Sequence, residues 1–298
     1  MAKTRGIMQK KENIAGYTFI IPYVLLFIVF TGLPFLCSIL FSVTNVTYIS
    51  KLDNFKFVGI ANFIKIFKTP EIMASLGRTF VYSLVYVPVI MILGFLLAVI
   101  VNKGVYFKNV IRGMVFLPYV SNMVAVAVIF KLLLGTSGPL FQVMKMLGVE
   151  NPPLLLLSTK YALPTVALIS VWKGLGLNMI TYLGALQNVP AELDEAAQID
   201  GATRLQRIKN VLLPMLSPTT FFLLISSIIT SLQNFTVIQA LTEGGPGQST
   251  TVMSLSIVRS AFVQNNTSLA SAQAIIVFII VMIITIIQWR GQQKWVNY

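Results

Sequence analysis

Residues 190–218 read PAELDEAAQIDGATRLQRIKNVLLPMLSP and form an island of charge in an otherwise apolar chain. Four of the nine acidic residues lie here: Glu192, Asp194, Glu195 and Asp200. Pro190 suits the first turn of a helix, and the carboxylates behind it favour the positive end of that helix's dipole. Gly201 is free to adopt the left-handed conformation that ends a helix. Thr203 is a capping residue for a second helix carrying Arg204, Arg207 and Lys209 as far as Pro214. The stretch therefore predicts a helix, a sharp turn and a helix. Ala196, Ala197, Gly201 and Ala202 have little or no side chain, so another protein surface could approach the turn closely, with Glu195 and Asp200 offering charge at its edges. That is the shape of a plug; a solvated amphipathic loop between two membrane spans is the plainer alternative.

The setting of this loop follows from composition. The chain has 298 residues, of which 56% are hydrophobic and only 10% charged, against about 25% charged in soluble domains. It is read as an all-α integral membrane protein, because backbone groups in lipid must be satisfied within each segment. The net charge of +13 does not indicate nucleic acid, since the basic residues are scattered along loop edges rather than interleaved with exposed aromatics in a stripe. Cys37 is the only cysteine and lies in an apolar run, so neither a disulfide framework nor a metal-ligand spacing exists.

In chain order, a basic arm over 1–14 (Lys3, Arg5, Lys10, Lys11) precedes an apolar run from about 17 to 41. That run is too long for a signal-peptide core and long enough to span a bilayer. The domain from 15 to 298 is expected to hold six transmembrane helices, at about 17–41, 79–101, 112–134, 160–187, 215–239 and 269–289. Between the first two lies a mixed segment containing Lys51, Asp53, Lys56, Lys65, Lys68 and Glu71, with an amphipathic piece around Ile60–Phe67 suited to a membrane surface. Six spans put both ends on one side. Twelve basic residues fall on the proposed inner side and eight on the outer, a modest excess that favours cytoplasmic termini and places the charged loop at 188–214 on the same side.

The string Glu195, Ala196, Ala197, Asp200, Gly201, Ala202, followed by Leu213 and Pro214, closely resembles the cytoplasmic coupling loop of permease subunits in binding-protein-dependent ABC importers of the maltose type. Ile208 departs from the pattern, standing where carbohydrate-type members usually carry a Phe that packs into the ATPase socket. FVGIANFIKIF, Phe57–Phe67, resembles an outer loop of the same permeases, and the Gly/Pro-rich Leu241–Thr251 resembles their GGP outer loop. The resemblance implies one half of a heterodimeric pore in a bacterial-type inner membrane. Its partners would be a second permease subunit, a dimer of ABC ATPases that bind ATP and Mg, an extracytoplasmic solute-binding protein, membrane lipid and a sugar or oligosaccharide substrate.

Absences narrow the chemistry. With no histidine, neither a Ser-His-Asp nor a Cys-His arrangement can be built. No Gly-Lys dipeptide occurs, so the chain lacks a phosphate-cradling loop and has no ATP site of its own. All nine carboxylates fall outside the expected spans, whereas proton- and cation-coupled carriers place ionisable groups at membrane depth. A secondary carrier is thereby disfavoured. A permease for glycerol phosphate or another polyol is the alternative within the class.

The spans do contain a polar stripe. Ser227, Thr230, Ser231 and Asn234 recur at helical spacing in span five, and Ser170, Lys173, Gly174 and Asn178 lie near one face of span four. Two readings stay open: hydrogen bonds between helices, or donors and acceptors for a sugar. By similarity to the maltose-type subunit, the positions matching its sugar contacts include Ser170, Gly174, Leu177, Ser227, Thr230, Ser231 and Asn234. Lys173 is expected on the translocation path, because an ammonium near the bilayer centre costs at least about 2.5 kcal/mol and needs water or a carbonyl partner. Lys131 is expected to snorkel to the outer interface.

Overall fold

The structure is a computed structural model and describes residues 16–47, 56–102 and 106–292. The basic arm, with Lys3, Arg5, Lys10 and Lys11, and the loop residues Lys51 and Asp53 lie outside the described residues. Among the described residues every named element is helical, and the one isolated bridge pairs Thr44 with Phe57. Contacts divide the chain into two compact units: Met1–Lys68 with Ile257–Ile276, and Thr69–Ser256 with Val277–Tyr298.

In the first unit, α1 (Gly16–Ser42) covers the first apolar run. A π turn at Ile28–Gly32 precedes Pro34. Proline has no N–H for the carbonyl four residues back, and the widened turn just ahead accommodates it. The end of α1 is closed by Asn62 of α2 (Ala61–Lys68), whose Nδ2 donates to the carbonyls of Ser42 at 2.9 Å and Thr44 at 2.8 Å. On α2 Ile66 is buried, while Ile64 and Phe67 stay exposed beside Lys65 and Lys68. That apolar face with flanking cations is the pattern of a helix lying on a membrane surface.

The second unit is built on α3 (Pro70–Asn102) and α7 (Ala162–Gln187), which make the most extensive helix contact. The intervening apolar run is not one helix. It divides into α4 (Lys108–Val120) and α5 (Met123–Leu133), which meet at 100°, followed by the short α6 (Pro139–Met146). Ser121 turns extended at the break, and Asn122 caps α5 by accepting from the backbone N–H groups of Val124 at 2.8 Å and Ala125 at 3.4 Å. Pro118, four residues earlier, has already removed one helical hydrogen bond. The expected span at 112–134 thus falls on a bent pair of helices rather than on one continuous helix.

The run at 215–239 begins at a second bend and is interrupted again at 233–235. After α8 (Ala191–Ile199), α9 (Arg204–Met215) meets α10 (Ser217–Leu232) at a 72° bend, and α11 (Thr236–Leu241) follows. Pro214 again sits two residues beyond a π turn, Ile208–Leu212. Pro218 offers no N–H to the Pro214 carbonyl, which accepts instead from Ser217 Oγ at 2.6 Å. Among the described residues four helices, α1, α3, α7 and α12 (Thr267–Gln292), are long and apolar enough to cross a membrane, and the count reaches six if each bent pair is one span.

Lipid tails are as apolar as leucine, so helices in a bilayer associate through close packing and hydrogen bonds more than through apolar burial. Two packed clusters lie along α3 and α7. One is centred on Tyr82, Ile90 and Val166, the other on Ala98, Met179 and Leu216. Ser83 Oγ lies 2.7 Å from Ser231 Oγ, Asn234 Nδ2 donates to the Tyr82 hydroxyl, and the Met253 N–H donates to Thr79 Oγ1 at 2.8 Å. Such bonds average about 0.6 kcal/mol each.

Candidate functional site

The charged stretch folds as two helices braced into one wedge. Pro190 caps α8 from outside, with Glu192 and Asp194 in the first turn. At the other end Gly201 has φ +77°, its N–H donates to the Gln198 carbonyl at 3.0 Å, and the Ala202 N–H donates to the Ala197 carbonyl at 2.9 Å. This is a Schellman closure, which satisfies carbonyls that the helix end leaves free. Thr203 and Gln206 then form a reciprocal capping box that starts α9.

Arg207 Nη1 donates to Asp194 Oδ2 across the two helices at 2.8 Å, and Gln198 Nε2 donates to the same oxygen at 3.2 Å. The guanidinium is mostly covered, while the carboxylate is 38% exposed. Solvent screening therefore limits Asp194→Ala to about 1 kcal/mol of local stability. The expected result is roughly fivefold faster hydrogen exchange over α8 and α9; unchanged exchange would remove the brace from the account.

Glu195, Ala196, Asp200 and Gly201 are exposed and Ala197, Ala202 and Pro214 half-buried. Ile208, expected at the docking surface, is half-buried and packs with Leu212, one turn on, against the Met179–Leu216 cluster. The apolar side chains that project furthest from the wedge are Ile199, 87% exposed, and Leu205, 75% exposed. Sequence reading passed them over because exposure depends on which way each helix turns on its neighbours.

Between the two packed clusters lies a cavity of about 460 Å³. Five of the expected path residues line it: Gly174, Leu177, Asn178, Ser227 and Thr230. Tyr86, Tyr119, Thr181, Phe222 and Ser226 also line it and had not been singled out. Tyr86 comes from α3 and Tyr119 from the α4–α5 break, so neither shares a periodicity with the polar stripe. Gly174 makes room there, since a Cβ on it would lie 2.9 Å from Ile90 Cδ1 and 3.0 Å from the Tyr86 hydroxyl.

The remaining expected residues point elsewhere. Ser170 Oγ donates to the Val166 carbonyl at 2.8 Å, and Ser231 and Asn234 are engaged with Ser83 and Tyr82 of α3. Lys173 Nζ donates to the carbonyls of Pro118 at 3.0 Å, Tyr119 at 3.2 Å and Ser121 at 2.8 Å, all at the break. Lys131 lies 3.9 Å from Glu243 of the Gly/Pro-rich loop.

The family model described as binding-protein-dependent transport system inner membrane component matches residues 90–295. The chain belongs to this family. It is 33% identical over its whole length to YesP of Bacillus subtilis (strain 168), a probable ABC transporter permease protein, and covers 96% of it. It is 32% identical, over 95% of each chain, to UgpA of Pectobacterium atrosepticum, an sn-glycerol-3-phosphate transport system permease protein. LacF of Rhizobium radiobacter, a lactose transport system permease protein, is 30% identical over 99% of each chain. A solved bacterial ABC transporter involved in the import of the acidic polysaccharide alginate superposes with a TM-score of 0.85, covering 98% of this chain and 100% of that one. At 22% identity that likeness is one of fold.

As a binding-protein-dependent permease, the chain is a multi-pass membrane subunit of an ABC transport system, and its relatives are transport proteins rather than enzymes. The matched region takes in the broken span, the wedge and all of the cavity wall except Tyr86.

Proposed function

We propose that this permease forms one half of an importer pore for a sugar or oligosaccharide, with its termini and the α8–α9 wedge on the cytoplasmic side. The observation that carries the reading is the wedge: a braced pair of helices with a small-residue turn flanked by the strongly exposed Ile199 and Leu205. A pair of ATPase subunits, binding ATP and Mg, takes this wedge in a socket, and their closure moves it as a rigid body. A second permease subunit completes the pore, and an extracytoplasmic binding protein delivers the ligand to the outer loops.

Co-purification in mild detergent tests the assembly. Ile199→Asp together with Leu205→Asp is expected to reduce ATPase recovery more than tenfold, because each change replaces an apolar contact at the centre of the docked face with a buried, unpaired charge. The thermal midpoint of the isolated chain should not move, since both side chains are exposed in it. Full ATPase recovery with the double variant would sink the docking claim.

The identity to UgpA supports a second reading, in which the same cavity passes glycerol phosphate. The two readings differ in ligand charge, which the cavity wall addresses.

A further inference from the structure

Hydroxyls, one amide, glycine and apolar side chains make up the cavity wall; among the described residues no carboxylate, ammonium or guanidinium stands on it. The cation nearest in sequence is Lys173, next to Gly174. An ammonium has three N–H donors, and Lys173 directs its donors to three carbonyls at the α4–α5 break. Those carbonyls stand at the negative end of α4, where a positive charge is favoured. No donor is left over for a ligand. The polar atoms that the wall offers come from Tyr86, Tyr119, Thr181, Ser226, Ser227, Thr230 and the Asn178 amide, whose Oδ1 is itself buried.

We infer that this wall reads an uncharged, hydroxyl-bearing ligand, such as a neutral saccharide. On the same geometry Lys173 is a positioning residue, which pins the broken span to α7 and so holds Tyr119 in the wall. The inference rests on the transport reading above and narrows its substrate class. A ligand hydroxyl both donates and accepts, so it can pair with the wall's hydroxyls whichever way each of them is turned. A carboxylate or phosphate offers acceptors only. Moving such an anion from water to this wall also incurs a desolvation penalty with no opposite charge to offset it. The acidic cargo named for the alginate importer and the phosphate named for UgpA therefore need a counter-charge that this wall does not supply.

The test uses the full chain as purified, with whatever subunits accompany it, and Cys37→Ser removes the chain's only native thiol. A cysteine replacing Thr181 on the wall is modified with a cationic and an anionic methanethiosulfonate of similar size. The expected ratio of the two rates lies within about threefold of that for a simple thiol. A preference above tenfold for either reagent overturns the neutral wall, whether or not Lys173→Met removes it.

For the positioning role the cysteine replaces Ser121 at the break. Lys173→Met should raise both rates there several-fold, and Lys173→Arg should restore them. Equal rates in all three backgrounds overturn that role. If Lys173→Met does not assemble, Lys173→Gln takes its place, and the wall ratio in the lysine-bearing protein already decides the charge. These readouts do not depend on transport: a neutral wall in a chain that never recovers an ATPase would defeat the importer reading and leave the wall as inferred.

Discussion

Gly201→Val is expected to abolish transport while leaving the membrane-embedded part of the chain intact. The residue has φ +77°, where a side chain with a β-branch crowds the following carbonyl at about 1–2 kcal/mol. Within the chain a Cβ at this position would meet nothing inside 4 Å. The substitution therefore acts through backbone conformation and through whatever the wedge docks against. Losing the left-handed residue breaks the Schellman closure, frees the Ala197 and Gln198 carbonyls, and alters the angle between α8 and α9 that Asp194 and Arg207 brace. Transport should fall to background and ATPase recovery at least tenfold, with the thermal midpoint shifted by only a few degrees. Gly201→Asn is the control, because asparagine tolerates this conformation better than valine does. Transport at the wild-type rate in the valine variant would sever the turn from coupling.

What could be read from the sequence divides by the range of the physics. Pro190, Gly201 and Thr203 act within a few residues, so the order of helix, turn and helix was legible, and the structure adds the Thr203–Gln206 box on the same local terms. Long apolar runs mark helices by length alone, as in Gly16–Ser42 and Ala162–Gln187. The bend after Val120 was not anticipated, although Pro118 and Asn122 both stood in the string, because an apolar run with one proline is also compatible with a kinked continuous helix. The polar stripe shows the limit more sharply. Ser227 and Ser231 are four residues apart, yet the first lines the cavity and the second bonds to Ser83. Periodicity finds a polar face but not what stands opposite it. Lys173 was recognised as needing a carbonyl or water, and only the fold shows that the acceptors lie more than fifty residues away in sequence, at a break that the hydropathy pattern conceals.

Gly176→Ala is expected to be far more damaging than a methyl group ordinarily is in a helix. A Cβ there would lie 2.6 Å from both the Cα of Phe116 and the carbonyl oxygen of Val115. Both are backbone atoms of α4, so no side chain can rotate away, and α4 itself must retreat from α7. Overpacking of this kind costs about 1–3 kcal/mol. The retreat also draws the carbonyls of Pro118, Tyr119 and Ser121 away from Lys173, three residues earlier on α7, leaving an ammonium at membrane depth that costs at least about 2.5 kcal/mol unless it finds water. These terms overlap and do not simply add, but either alone predicts a fall in thermal midpoint of about 2–5 °C in detergent. Gly184→Ala on the same helix separates crowding from propensity. A Cβ there meets nothing within 4 Å, so the better helix former should leave the midpoint unchanged or raise it slightly. If the contact at Gly176 and the Lys173 pin are one device, Lys173→Met should add little further loss in the Gly176→Ala background, since coupled sites are not additive. Equal midpoints for Gly176→Ala and Gly184→Ala would mean that close approach of α4 to α7 is not what keeps Tyr119 in the cavity wall.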